Sequence, residues 1–303
     1  LHRGTRLLPC YWSFPNSIVH STLYCAELRS IQRCLAFYII GCENALYVFG
    51  CDTIGVDMQF SSLTSGTTFT MGKGRNWRVI HPDMGAAHIT LNHALHDVGN
   101  EFVQHIHDSS DDVIVVLEGA VSLRQGNVYT AAAAGEALYI PAGEVHGTVN
   151  TGNTVARMVS FQSPPDMALY RGDRNQAEDR RPVPSDNHIS RVLVTRMSSG
   201  SPDFRKRLEW RRVFSRAHGA RLMMLEYGVF PDSGSMNFVE EGLEGVFIIV
   251  QGTFDVERAG EPHVPIGEDA VIFLKQDERF SIHCGSSQGL VLHCCAIPEG
   301  AAP

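Results

Sequence analysis

The feature that most constrains this chain is that it repeats itself: similar segments recur in the same order about 133 positions apart. VVLEG at Val115 to Gly119 returns as IIVQG at Ile248 to Gly252, and Gly85-Ala86 returns as Gly219-Ala220. Trp77-Arg78 matches Trp210-Arg211, and Gly135-Glu136 is echoed by Gly267-Glu268, each followed by an apolar run, ALYIP and AVIFL. The chain therefore reads as two copies of one domain. Each copy is built from short runs rich in Val, Ile, Leu and Phe, separated by Gly, Asn, Asp and Pro, which is the pattern of many short strands closed into a sandwich or barrel.

A chain of 303 residues is long enough to give each copy its own core. The expected divisions are an N-terminal extension over residues 1–60, packing as strands on the barrels, a first barrel over 61–165, a connector over 166–200, and a second barrel over 201–303. The connector contains the longest charge run, NQAEDRRP, among Asp, Arg and Pro residues that suit a surface excursion. RKRLEW, ending at Trp210, fits either a brief helix or a charged strand.

The formal net charge of -8, with no Lys/Arg-rich run, argues against a nucleic-acid partner. The most apolar stretch, Leu35 to Cys51, is interrupted by Glu43 and Asn44 short of the roughly 20 residues that span a bilayer, and reads as buried strands. No membrane association is expected. The eight cysteines show no CxxC pair, so buried free thiols and a cytoplasmic location are expected, although five of them fall in the first 51 residues and keep disulfides open. The chain opens on Leu1, which also leaves a lost targeting segment open.

Two segments carry chemistry. In GNEFVQHIHDSSDDVIVVLEG, from Gly99 to Gly119, His105 and His107 alternate along a strand and so face the same way. A turn then leads to Asp112 at the head of the next strand, while Asp111 has the opposite parity. In GEALYIPAGEVHGTVN, from Gly135 to Asn150, a Pro-x-Gly turn brings His146 onto a further strand. Three imidazoles and a carboxylate arriving from different strands can converge on one metal ion.

These segments resemble the paired signatures of the cupin superfamily, G-x5-H-x-H-x(3,4)-E-x6-G and G-x5-P-x-G-x2-H-x3-N. Gly99, His105, His107 and Gly119 fall at the family spacing, and so do Gly135, Pro141, Gly143, His146 and Asn150. The resemblance implies an all-β fold of two tandem double-stranded β-helix barrels of jelly-roll form. It also implies metal ligands at His105, His107, position 112 and His146. The family carries Glu where this chain has Asp112, one methylene shorter, which puts its oxygen about 1.5 Å short unless the hairpin moves inward. Gly119, Gly135 and Gly143 read as turn residues.

In the second copy, an offset of 133 places Phe238, Glu240 and Gly245 where His105, His107 and Asp112 stand. An offset of 132 places Glu278 at the position of His146, so no imidazole survives there and one metal per chain is expected, in the first barrel. Glu240 with Glu278 is too sparse for a hard cation. The first-barrel ligand set suits Fe, Mn, Ni, Cu or Zn without choosing among them.

Ile114, Val116 and Ile140 have the parity to line a pocket beside the metal, and His93 stands on the strand before Gly99 as a further substrate-binding candidate. His81, His88 and His96 also lie outside the signature. Glu118, Tyr139, His93 and Glu144 are unanchored candidates for an acid or base. The leading expectation is a dioxygenase acting on a small oxygenated organic substrate. A non-redox lyase, hydrolase or isomerase and a metal-stabilised binding or storage protein are the alternatives. Self-association into a homo-oligomer stays open.

Overall fold

A computed structural model describes residues 58–70, 73–173, 188–203 and 208–300, and the backbone of strands Ser13–Phe14, Ser17–Ile18, Ala36–Cys42 and Ala45–Cys51. Residues 1–56 make one compact unit, in which Ala36–Cys42 and Ala45–Cys51 pair antiparallel. The packing expected of residues 1–60 on the barrels and the burial expected for Leu35 to Cys51 lie outside the described residues. Among the described residues no helix is long and apolar enough to cross a membrane. Cys284, Cys294 and Cys295 are buried free thiols.

The other unit, Asp57–Pro303, contains two sandwiches, each pairing a seven-stranded sheet with a four-stranded one. In the first, Thr90–His96, Ala156–Ser163, Asp111–Glu118 and Glu136–Ile140 lie side by side and antiparallel in the large sheet. The small sheet holds Glu101–Ile106, Val145–Val149, Ala120–Gln125 and Val128–Ala133. The run VIVVL is continuous rather than alternating because both faces of its strand are covered. Val113 and Val115 enter a core shared by the two barrels, while Ile114 and Val116 enter the interior of the first. Val246 and Ile248 join the same shared core, and Phe247 and Ile249 turn into the second barrel. Each such aliphatic side chain contributes roughly 1.5–3 kcal/mol by leaving water.

The copies exchange strands. Gln59–Ser62, which precedes the first barrel, pairs with Ala270–Lys275 of the second, and Leu193–Arg196, which precedes the second, pairs with Glu136–Ile140 of the first. Gln59 stands opposite Phe273 just as Leu193 stands opposite Tyr139. The stretch expected as connector, 166–200, thus supplies a strand to the first barrel and, through Met197, a side chain to the shared core. The expected edges of the extension and connector therefore differ from the sheet boundaries. Leu193–Arg196 is a partly exposed edge strand, and its surroundings in sequence carry the polarity of a surface segment.

A matched pair of carboxylates locks the exchange. Asp111, fully buried, accepts from the Arg221 and Leu222 N–H groups of the other barrel, from Ala142 N–H and from the Tyr139 hydroxyl. Glu244, at the equivalent place, accepts from Ala87, His88 and Ile89 N–H and pairs with Lys275. Burial, with Asp111 beside it, pushes the Tyr139 hydroxyl well above its ordinary range. Asp111 therefore ties the barrels together, in keeping with its outward parity.

Strand pairing also corrects the alignment of the copies. Arg78 stands opposite Asn92 and Arg212 opposite Glu226, so Arg75–Ile80 and Glu209–Phe214 align one residue away from the Trp-Arg match. Trp210 takes the place of Asn76 and is buried inside the second barrel, whereas Trp77 packs on the shared core. A one-residue slip exchanges the faces of a strand. RKRLEW enters a strand at Glu209, and residues 204–207 lie outside the described residues.

Candidate metal centre

Glu101–Ile106 presents His105, and His107 follows just beyond its end, while the paired strand Val145–Val149 sets His146 directly opposite His105. Gly143 makes the preceding turn at φ +86°, a conformation that glycine adopts without a Cβ clash. His105 Nε2 and His107 Nε2 are 3.2 Å apart, and the His146 ring centroid is 4.3 Å from that of His105 and 5.1 Å from that of His107. Asp112 points inward from the neighbouring sheet, its Oδ2 3.4 Å from His146 Nε2 and 3.7 Å from His107 Nε2. Ser160 steadies its other oxygen, donating to Oδ1 at 2.8 Å.

The donor set fits a divalent ion. Imidazole nitrogens bound to one ion at about 2.1 Å stand roughly 3.0–3.4 Å from each other, and the closest pair here already has that spacing. Each ring is engaged from behind. His105 Nδ1 faces the Val103 carbonyl at 3.0 Å, His146 Nδ1 the Glu144 carbonyl at 3.0 Å, and His107 Nδ1 the Asp166 carboxylate at 3.4 Å. The carbonyls behind His105 and His146 take the Nδ1 proton and leave the Nε2 lone pair to a metal, whereas His107 Nδ1 lies between the Asp166 carboxylate and the Gln162 amide. The buried His146 Nε2 has no hydrogen-bond partner.

The electrostatics differ between the ligands. Burial lowers the His105 pKa well below its ordinary value, and the two adjacent imidazoles add to that. Burial also opposes charge on His107, but Asp112 and Asp166 outweigh it and raise its pKa. For Asp112, burial is outweighed by contacts with His107 and His146, which hold it well below the usual carboxylate range.

The cluster opens into a cavity. Ile114 lines it, but Val116 and Ile140, which share its inward parity, are buried deeper, in the core with Leu123 and Leu138. His93 stands at the cavity wall with its ring turned to the other face of its strand, stacked on Trp77, its Nδ1 2.9 Å from the Leu63 carbonyl. The acid and base candidates are engaged elsewhere: Glu118 pairs with Arg157, Tyr139 with Asp111, and Glu144 with Gln125, His188 and Arg191.

Sequence reasoning missed several residues of the site. Gln162 lies on the same strand face as Ser160, its amide nitrogen 2.7 Å from His107 Nδ1 and its Oε1 accepting from Asp166 N–H at 2.9 Å. Asp166 supports His107 and also caps the short helix Met167–Tyr170. His96 lines the cavity fully buried, and neither ring nitrogen has a partner; burial lowers its pKa to about 4. Alternation along Ala156–Ser163 marks Ser160 and Gln162 as inward, but Asp166 lies beyond any periodic pattern.

In the second barrel Phe280, rather than Glu278, stands where His146 stands, opposite Phe238, and the two rings are 5.3 Å apart. The Glu278 carboxylate accepts from Lys275 N–H instead of joining Glu240. An imidazole is nonetheless present inside this barrel: His293, hydrogen-bonded to Glu226 and Glu240. It occupies the position equivalent to Ser160, which the signature positions do not cover.

Residues 94–161 match the family model described as the cupin domain. No curated protein matches the chain in sequence. Solved structures do: the protein Ylba from E. coli has a TM-score of 0.61 at 12% identity, covering 82% of this chain and 93% of that one. The bacterial pirin YhhW in complex with nickel(II) from Escherichia coli has a TM-score of 0.57 at 15% identity, covering 80% and 100%. Oxalate decarboxylase from Bacillus subtilis has a TM-score of 0.60 at 9% identity, covering 82% and 78%. At these identities the likeness is one of fold. The signature spacing, the paired sheets and the family match all fall on the same barrel: residues 94–161 match the cupin domain, and the described residues have the all-β cupin fold of two tandem barrels.

Proposed function

We propose that the first barrel holds a divalent transition metal on His105, His107, Asp112 and His146, and that the protein is a metal-dependent oxidoreductase of dioxygenase type acting on a small oxygenated organic substrate. The carrying observation is the arrangement of the imidazoles, each engaged at Nδ1 and converging through Nε2 beside Asp112 on one cavity. A redox-active ion held there supplies a route for electrons between substrate and dioxygen.

The chain's own residues do the rest. Ile114, Met158, Phe102 and Leu169 give the cavity apolar wall that keeps water from a bound substrate. Arg78, held between the rings of Phe69 at 4.9 Å and Tyr170 at 4.3 Å, offers a fixed cation to an anionic group. The engagement of Glu118, Tyr139 and Glu144 elsewhere removes those three as the acid or base that the non-redox reading needs beside the metal.

The test is metal analysis of full-length protein purified without added metal, joined to oxygen uptake with phenols, diketones and small acids. Oxygen consumption that disappears with His105→Ala/His107→Ala is the expected result. Turnover without oxygen consumption would move the assignment to a lyase, hydrolase or isomerase. Bound metal without turnover would leave a binding or storage protein.

A further inference from the structure

The second barrel carries its own donor cluster, displaced from the signature positions. Glu240 follows the strand Ser235–Val239 at the place His107 holds in the first barrel, while His293 and Cys295 project from Gln288–Ala296 where Ser160 and Gln162 stand. One ligand atom from each of Glu240, His293 and Cys295 lies within 4.8 Å of the others, and all three residues are buried. Gly245 stands where Asp112 stands, and a Cβ built on it would lie 1.7 Å from Glu240 Oε2. The Glu240 carboxylate therefore occupies the volume that the ligand carboxylate occupies in the first barrel. The Gly242 N–H fixes its other oxygen at 2.7 Å.

We propose that Glu240, His293 and Cys295 form a second divalent metal site, suited to Zn(II) or another thiolate-accepting ion, with Glu226 orienting His293. Glu226 Oε2 lies 3.1 Å from His293 Nδ1, the carboxylate–imidazole arrangement that turns Nε2 toward a metal. Nε2 in turn lies 2.7 Å from Glu240 Oε2, on the side from which the ion would bind. Thiolate, imidazole and carboxylate together favour Zn(II) over Mg(II) or Ca(II).

The charges also match. Without an ion, an imidazolium between two carboxylates beside a neutral thiol carries a net charge of about -1. Binding of M(II) displaces the His293 Nε2 proton and the Cys295 Sγ proton, so two protons leave for each ion and the net charge is unchanged. No oxidant or reductant takes part. The site is distinct from the first-barrel centre, and its test does not depend on turnover.

The experiment uses full-length His105→Ala/His107→Ala protein, in which the first barrel lacks two of its ligands, titrated with Co(II). Retention of one cobalt per chain with a thiolate-to-cobalt absorption band in the near ultraviolet is expected. Cys295→Ser on that background should abolish the band, and Zn(II) should displace the cobalt. Release of two protons per ion in weakly buffered solution provides a second readout that needs no further variant. Absence of bound cobalt, cobalt bound without the thiolate band, a band that survives Cys295→Ser, or binding without proton release would each overturn the proposal.

Discussion

The two barrels share strands, order and sheet pairing, yet one surrounds a cavity with three imidazoles while the other fills the equivalent space with aromatic rings. Phe238 and Phe280 replace His105 and His146 as a facing pair, Phe247 replaces Ile114, and Trp210 replaces Asn76. The scaffold therefore does not depend on the site. What sets the barrels apart is a handful of inward positions, whereas the outward face of each large sheet stays apolar to build the shared core.

The hardest way to break this comparison is to remove His105 and His107 together by alanine substitution. The first-barrel ion should be lost altogether, with the second barrel's folding unchanged, as read by metal analysis and near-ultraviolet circular dichroism. Unchanged metal content at that site would remove the basis for the ligand assignment.

Next in size is a pair of substitutions at one structural position. Trp210→Ala should cost about 3–5 kcal/mol in denaturant unfolding, because it empties a packed interior. Asn76→Ala at the matching place should cost less than about 1.5 kcal/mol, since that side chain has a local hydrogen bond and a cavity beside it. Equal costs would mean that the barrels are packed alike after all.

Gly245→Ala sharpens the comparison at the carboxylate position. The added methyl has no room beside Glu240, so a loss of about 1–3 kcal/mol is expected from the unfolding midpoint. Asp112→Asn, its counterpart in the first barrel, should leave folding intact and weaken metal retention by about 10–100-fold. Asp112→Glu should retain or strengthen binding if the carboxylate reaches the metal. Wild-type affinity in the Asn variant would remove Asp112 from the ligand set.

The last test concerns pH and His96. Its folded pKa of about 4 lies below the unfolded value of about 6.5, so the unfolded chain binds more protons between these values. Stability therefore falls as pH drops from about 6.5 to about 4, with no further contribution from this group below that range. His96→Phe should flatten that part of the stability profile relative to wild type, and parallel profiles for the two proteins would contradict the assignment.

Much of the first barrel was legible because its signature fixes residue spacing over short runs of consecutive strands, although the strands of His105 and Asp112 lie in different sheets rather than in the expected hairpin. His105, His107 and His146 meet as the alternation of strands requires, and Asp112 enters from the predicted face. Parity gave the face of Val116 and Ile140 but not their depth, which depends on how the opposing sheet packs. The second barrel was harder to read because the offset between the copies changes by a residue from strand to strand. That slip hid the equivalence of Phe280 and His146, and the turn of Trp210 into the interior. His293 escaped notice because its counterpart, Ser160, bears no ligand.

The traded edge strands give the molecule the form of an isologous pair. If the two copies were separate and identical chains, each would lend an arm to its neighbour's sheet and offer a carboxylate to its neighbour's turn, as the subunits of a two-fold dimer do. Joined in one polypeptide, the same geometry leaves neither half self-sufficient. A fragment ending before Leu193 would lack the outer strand of its own large sheet, and one beginning at the second barrel would lack Gln59–Ser62. The two halves can be complete only together, and this symmetry frees one barrel to change its interior while its twin keeps the imidazoles.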